Sequence, residues 1–396
     1  MQSAIPGHDA KQQLLVRARS VMPILREARH RIEEHRELPD DVVDALGEAG
    51  MFRLLLPRSA GGDELDLRTH AEVMELIASA DASVAWCLSQ GAGCAMGAAF
   101  LAPDVAARLF GQTNAALSWG AGLQGKATVV DGGYRVTGKW TFSSGSMHST
   151  LLGGHSRIFE PDGSPRLRPD GSQLDRTLLF PRSAATFEDV WHVMGLKGTG
   201  SNTFMVEDLF VPEEETIDRE NPDELQQSGP RYLFSASLGY GVGFAALQLG
   251  IARGMLDDLR HLAMTKTPRG ASMSLRESPV FQTELARLEG RYRASRAYLH
   301  MTADEIFHKV AAANAITLED RLTLKLATVH TIHEAIDVTT TAYRNVGNDA
   351  IFPHNPYEQR LRDAYTASQQ TQARMQNLTT IGRCLLDLEP DTMTFL

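Results

Sequence analysis

Residues 195–212 read GLKGTGSNTFMVEDLFVP. The second half, Thr203 to Val211, is of strand length, carries β-branched and aromatic residues and is closed by Pro212. The first half differs in kind. Gly195, Gly198 and Gly200 alternate with Leu196, Lys197, Thr199 and Ser201, four residues after Trp191. Glycine lets a backbone approach another group closely, and the small hydroxyls supply hydrogen bonds at short reach. A second stretch has the same texture. Residues 140–148 read WTFSSGSMH, again a large aromatic followed by serines and a glycine at the end of a strand.

Upstream of that second stretch, Ala127 to Val130 and Tyr134 to Phe142 flank Asp131-Gly132-Gly133. That pattern predicts a hairpin, with Tyr134, Val136, Trp140 and Phe142 alternating in side. Glu160 to Gln173, rich in Pro, Gly and Asp, reads as an exposed excursion between strands. The sheet region is bounded by helical texture on both sides. Pro39-Asp40-Asp41 opens a helix that runs through Val42, Val43 and Leu46 to Gly50, with acids at its positive end. Pro57 to Gly62 breaks the pattern, and Leu65 to Leu88 resumes it. After Tyr232, Leu238, Val242, Ala245, Leu249, Ala252, Leu256 and Leu259 fall at steps of three and four. So do Leu322, Leu326, Val329, His333 and Ile336. Such stripes predict antiparallel helices packed in a bundle. The order α, β, α divides the chain into 1–115, 116–225 and 226–396.

Hydrophobic residues are 43% of the 396-residue chain, enough for large cores shared by two or three units. The net charge of -10 argues against nucleic acid, whose binding proteins carry basic patches. Met1 to Gly7 is too short and polar for a leader, and no apolar run is long enough for a membrane span. Cys87, Cys94 and Cys384 are scattered and odd in number, which predicts a reducing, cytoplasmic setting with no disulfide framework and no zinc site.

Several motifs lose to simpler readings. Gly239-Tyr240-Gly241-Val242-Gly243 lies inside a helical stripe with no strand before it, so close helix packing is favoured over a dinucleotide loop. His330 and His333 lack the order of a zinc protease and a third ligand, so no metal is expected. Gly198-Thr199-Gly200-Ser201 lacks a phosphate loop's lysine, and no Gly-x-Ser-x-Gly elbow occurs. The two aromatic-hydroxyl-glycine stretches have the mixture a flavin ring needs: apolar contact for its faces and hydroxyl or backbone hydrogen bonds for its edges. The residues alone equally allow sheet-edge turns beside a core tryptophan.

In order along the chain, LPDDVVDALGEAGMFRLLLPRSAGG (38–62), GLKGTGSNTFMVEDLFVP and YEQRLRDA (357–364) resemble the acyl-CoA dehydrogenase family. The resemblance implies an α+β multidomain fold: an N-terminal α-helical domain, a middle β-barrel domain and a C-terminal four-helix bundle. It also implies a homotetramer with flavin between the second and third domains. The dehydrogenases carry a catalytic Glu some residues after the Arg-Asp pair. Here Arg362-Asp363 is followed by AYTASQQTQAR, with Gln370-Thr371 at that place. Neither side chain is a base at neutral pH.

The FSSG and GTGS pair is instead similar to the flavin-dependent monooxygenases on this fold. These are two-component enzymes that take reduced FMN or FAD from a separate NAD(P)H-dependent reductase and use O2 through a C4a-hydroperoxide. By that resemblance Ser144 lies near flavin N5, Trp140, Phe142 and Ser143 flank the ring, and Trp191, Gly198, Thr199 and Ser201 complete the cofactor site. Trp86, Cys94, Tyr240, Phe244 and Gln370 are the candidate substrate wall. The phenol hydroxylases of this branch carry histidines where Gln370 and Cys94 stand, which points to a substrate that is already nucleophilic, with His148 as the candidate replacement. A dehydrogenase acting on a thioester is the alternative.

Overall fold

The computed structural model describes residues 8–219 and 221–393. The reading of Met1 to Gly7 as leader-free lies outside them. Among the described residues, six helices open the fold: α1 (His8–Ser20), α2 (Met22–His35), α3 (Asp40–Glu48), α4 (Leu67–Ala80), α5 (Ala82–Ala95) and α6 (Pro103–Phe110). The helical spacing predicted from Leu65 to Leu88 is carried by two helices. Asp81 is extended (φ -148°, ψ 126°) and its carboxylate accepts from Val84 N, so one residue ends α4 and caps α5.

Eight strands follow: β1 (Leu117–Trp119), β2 (Gly125–Val130), β3 (Gly133–Trp140), β4 (Leu151–Phe159), β5 (Asp175–Pro181), β6 (Thr186–Glu188), β7 (Thr203–Pro212) and β8 (Thr216–Ile217). They form one mixed sheet in the order β6-β7-β3-β2-β4-β5-β8, with β1 and β2 both parallel to β4. The predicted hairpin is β2–β3, Val130 facing Gly133 across the turn. Its far end departs from the simple alternation. The β3–β7 register shifts between Val136 and Gly138, and Trp140 is the last paired residue. Phe142 falls beyond the strand at φ 56° and is 61% exposed.

Five helices complete the described residues: α7 (Ala236–Ala263), α8 (Pro279–Ala313), α9 (Leu318–Val346), α10 (Tyr357–Ala367) and α11 (Gln376–Leu385). The stripe from Leu238 to Leu259 is buried along α7. On α9 Val329 and Ile336 of the predicted stripe are buried, but Leu322, Leu326 and His333 are half-buried, and the deepest face is rotated from the predicted one. It carries Leu324, Lys325, Thr328, Thr331, Ile332 and Thr339, because polar groups that find partners inside a bundle do not register in a hydrophobic stripe.

One continuous core joins α1–α5 to α7–α10, so the two helical zones are one packed body with the sheet docked on it. The sheet has its own core around Trp140, Phe180 and Phe204. α4 and α8 are pinned by a buried network. Glu75 accepts from Tyr292 Oη, from Arg296 Nε at 2.7 Å and meets His300 Nε2 at 2.8 Å. None of the described helices is long and apolar enough to cross a membrane.

Candidate active site

The loops 141–149 after β3 and 189–202 before β7 lie against each other. Gly145 N donates to Thr199 O at 2.9 Å and Ser143 N to Asn202 O at 3.3 Å. Ser143 Oγ also donates to Asn202 O and lies 3.0 Å from Ser146 Oγ. Between the loops runs a ladder of hydroxyls. Thr199 Oγ1 and Ser201 Oγ are 2.7 Å apart, as are Ser201 Oγ and Ser144 Oγ. The ladder ends on α5, where Trp86 Nε1 donates to Ser144 Oγ at 3.0 Å. Residues far apart in sequence thus meet in one hydrogen-bonded line.

Two bulky residues on these loops hold left-handed backbone angles, Phe142 at φ 56° and Leu196 at φ 53°. Such angles cost on the order of 1–3 kcal/mol each and cluster at functional sites. They turn Phe142 outward, edge-on to Trp191 with ring centroids 6.1 Å apart. Val190, Met194 and Phe142 are all exposed, so the loop pair presents an apolar ledge beside the hydroxyl ladder.

The ledge is clamped to the bundle. Leu196 N donates to Asp363 Oδ1 at 2.6 Å, Arg362 donates to Met194 O, and Trp191 Nε1 donates to Leu196 O at 3.0 Å. Arg362 also pairs with Glu33 at 2.7 Å and with Glu358. Burial, together with Asp81, pushes the Asp363 carboxyl up to about 8, and burial pushes Asp81 up to about 6. A carboxyl whose folded pKa is raised keeps its proton in the folded state. The cost of ionising it sets in above its ordinary pKa and is complete once the pH passes about 8. Stability is therefore expected to fall as pH rises toward 8. Asp363→Asn, which keeps the acceptor for Leu196 N, should flatten that fall in denaturation curves taken from about pH 5.5 to 8.5. An unchanged slope would remove Asp363 as its source.

On the other side of Trp86 lies an aromatic wall. Trp86 stacks on Phe244 with centroids 4.3 Å apart, Phe244 on Tyr240 at 5.9 Å, and Tyr240 Oη is 3.7 Å from Cys94 Sγ. Burial pushes the Cys94 thiol up to about 12 and the Tyr240 phenol well above its ordinary value. Both are neutral at physiological pH.

The remaining predicted residues are placed as follows. Trp140 lies inside the sheet, stacked on Phe204 with its Nε1 on His155 O at 2.9 Å, because β3 turns it inward with Tyr134 and Val136. It supports the loop from beneath. Gly198 packs on α2 and α5, where a Cβ would stand 2.1 Å from Ile32 Cγ2 and 3.0 Å from Ser83 Cβ. His148 packs on Phe52 at 5.7 Å, and burial with Arg182 nearby pushes it down to about 4. Gln370 caps the turn 371–373 by accepting from Gln372 N at 2.6 Å, while its buried Nε2 has no partner.

Sequence reasoning misses the clamp by Arg362 and Asp363 and two buried cations. Lys325 is 1% exposed and donates to Gln372 Oε1, whose Nε2 reaches Ser237 Oγ at 3.0 Å; burial pushes it down to about 8. The second is Arg231, 2% exposed and packed beside Gly239. No periodicity marks either one. The closeness of Gly239, Gly241 and Gly243 is the one legible sign that something packs there.

These groups fit a flavin. A ledge of Phe142 and Trp191 can cover a ring face, and the hydroxyl ladder can bond its edges. The wall of Trp86, Phe244, Tyr240 and Cys94 contains no carboxylate.

Two family descriptions match the chain: the acyl-CoA dehydrogenase N-terminal domain over residues 15–103, and the acyl-CoA dehydrogenase C-terminal domain over residues 242–374. The chain is 29% identical to an indole-3-acetate monooxygenase of Pseudomonas putida, over 85% of its own length and 84% of that protein. It is also 29% identical to the oxygenase subunit HsaA, a flavin-dependent monooxygenase of Rhodococcus jostii, over 87% and 91% of the two chains. Among solved structures, the 3-HSA hydroxylase from Rhodococcus sp. RHA1 superposes with a TM-score of 0.85 at 26% identity, over 97% of this chain and 99% of that one.

Proposed function

The chain belongs to the acyl-CoA-dehydrogenase-fold flavoproteins, in their flavin-dependent monooxygenase branch, and from that membership we propose that it is the oxygenase component of a two-component system. It takes reduced FMN or FAD from a separate NAD(P)H-dependent reductase and places one atom of O2 on a small aromatic or other nucleophilic substrate, while the other leaves as water. Solved neighbours hold FADH2 in one case and FMN with indole in another. Indole-3-acetate and resorcinol appear in the names of relatives, and both are electron-rich rings.

The observation that carries this reading is the line Thr199–Ser201–Ser144–Trp86, which joins the flavin ledge to a wall without a base. Reduced flavin, when bound, supplies the two electrons that activate O2 at its C4a carbon. The chain's own part is binding and exclusion. Phe142 and Trp191 cover the ring. Ser144 and Ser201 orient hydroxyl donors at its edge, with Trp86 Nε1 holding the Ser144 oxygen in place. Trp86, Phe244 and Tyr240 seat the substrate and exclude water, which slows peroxide loss. The neutral Cys94 and Tyr240 cannot take a proton from a weakly acidic substrate, which supports a substrate that is nucleophilic as it stands. A dehydrogenase needs a carboxylate against the substrate's α-carbon, and the wall offers none.

The test is anaerobic titration with FMNH2 and FADH2, followed by mixing with aerated buffer. The oxygenase predicts tight binding of the reduced form and a slow, delayed return of oxidised flavin. Tight binding of oxidised FAD, bleaching by an acyl-CoA and no delay would overturn it in favour of the dehydrogenase. Ser144→Ala leaves Trp86 Nε1 and Ser201 Oγ short of a partner, a loss of about 1–3 kcal/mol. Oxidised flavin should then return roughly 5- to 150-fold faster, with hydrogen peroxide rising to match. A variant with the delay intact would remove Ser144 from its role.

A further inference from the structure

Two strips run side by side along the first turns of α7. Tyr240 and Phe244, one turn apart, form the aromatic strip. Gly239 and Gly243, also one turn apart, form a bare one. Against the bare strip sit Arg231 from the turn before α7, His70 of α4 and Ser89 of α5. A Cβ on Gly239 would stand 2.8 Å from an Arg231 guanidinium nitrogen, and one on Gly243 would stand 2.4 Å from Ser89 Oγ and 3.0 Å from His70 Cε1.

Arg231 is 2% exposed, and the contact its guanidinium makes is from Nη2 to Met96 Sδ at 3.3 Å. Its Nε and Nη1 are buried without a partner, as are both ring nitrogens of His70 and Ser89 Oγ. Burial pushes the guanidinium down to about 10, which leaves it charged at neutral pH, and pushes His70 down to about 3, which leaves it neutral. The acids whose fields reach Arg231 are Glu64 and Asp66, and neither makes a hydrogen bond to its guanidinium. Glu64 Oε2 accepts from Arg58 N, and Asp66 from Thr69 N and Thr69 Oγ1. No carboxylate pairs with Arg231 among the described residues. A buried charge with no counter-ion is strongly destabilising, so a ligand that supplies the anion is the simplest explanation for keeping it.

We propose that Arg231, with Ser89 and His70 as further donors, is a carboxylate-recognition subsite of the substrate chamber, and that the substrate is a small aromatic acid. Its ring lies on Trp86, Phe244 and Tyr240, and its carboxylate on the Arg231 fork. This rests on the oxygenase reading for the chamber itself and adds the substrate class. Successive helix positions diverge by about 100°, so the two strips lie within reach of a short side arm between ring and carboxylate. A monoanion matches the single cation. A phosphate dianion would leave net charge buried.

The test uses the full chain with reduced flavin, kept anaerobic. Phenylacetate and indole-3-acetate are titrated against phenylacetamide and indole-3-acetamide, which share their shape but not the charge. Wild type should bind the acids at least tenfold more tightly than the amides. Arg231→Gln should bring the acids to the level of the amides and leave amide and flavin binding within about twofold. Arg231→Met should raise the Tm of the ligand-free protein by roughly 2 °C, because an unpaired buried charge is gone. Equal binding of acids and amides by wild type, or no binding of either, would overturn the subsite. So would a lowered Tm together with weakened amide binding in both variants, the signature of a structural arginine. The acid–amide comparison is repeated without flavin. A chain that fails to bind reduced flavin would sink the oxygenase reading, while the flavin-free comparison would still decide whether Arg231 binds a carboxylate.

Discussion

Gly195→Ala is expected to abolish useful binding of reduced flavin while the helical body stays folded. A Cβ at this position would stand 2.3 Å from Arg362 O and 2.7 Å from Asp363 N, both backbone atoms of α10. Helical backbone cannot move aside as a flexible side chain can, so the loop must lift. Lifting it breaks the bond from Leu196 N to Asp363 Oδ1 and the one from Arg362 to Met194 O. It also carries Trp191 away, since that indole is tied to Leu196 O. Forced overpacking and two lost hydrogen bonds together amount to about 3 kcal/mol, a roughly 100-fold rise in Kd for reduced flavin. Anaerobic titration measures this directly, and far-ultraviolet circular dichroism reports the helices. Wild-type affinity in this variant would mean that the clamped loop does not hold the flavin.

Glu75→Ala is expected to have the largest effect on stability, about 3–5 kcal/mol, with Tm falling on the order of 10 °C. Glu75 is buried on α4 and gathers Tyr292, Arg296 and His300 from α8. Removing the carboxylate strands all three partners at a helix–helix contact. Burial pushes the Glu75 carboxyl up, but the hydrogen bond from His300 and the neighbouring Arg296 outweigh it and hold the group below its usual range. A depressed folded pKa contributes stability above the ordinary carboxylate pKa, and that stability is lost as pH falls through the folded value. Glu75→Gln should therefore weaken the protein at about pH 7 and flatten its acid denaturation. Thermal melts at about pH 7 and about pH 3 would show both, and a variant as stable as wild type at neutral pH would refute the network's role.

The site is legible where its chemistry is local. The pairing of an aromatic with serines and glycines in 140–148 and 191–201 singles out two loops, and the structure hydrogen-bonds these loops to each other. Trp86, Phe244, Tyr240 and Cys94, from two separate helices, lie in contact in that order. Trp140 does not flank the ledge, because its position beside the serines says nothing about its side. Strand alternation sends it into the sheet, while the left-handed angle at Phe142 sends that ring outward. His148 shares the loop, yet its ring packs on Phe52.

The order of helical, sheet and helical regions, the β2–β3 hairpin at Asp131-Gly132-Gly133 and the buried stripe of α7 are all written in the linear chain. Each rests on a repeat of two or of about three and a half residues, a property of neighbours along the chain. Which polar groups lack partners is settled by packing alone. Arg231, His70 and Ser89 come from three separate segments, and any one of them, read in its own segment, is an ordinary surface or helix residue. Whether a guanidinium meets a carboxylate depends on which helices pack together, and burial turns that missing partner into a large energy.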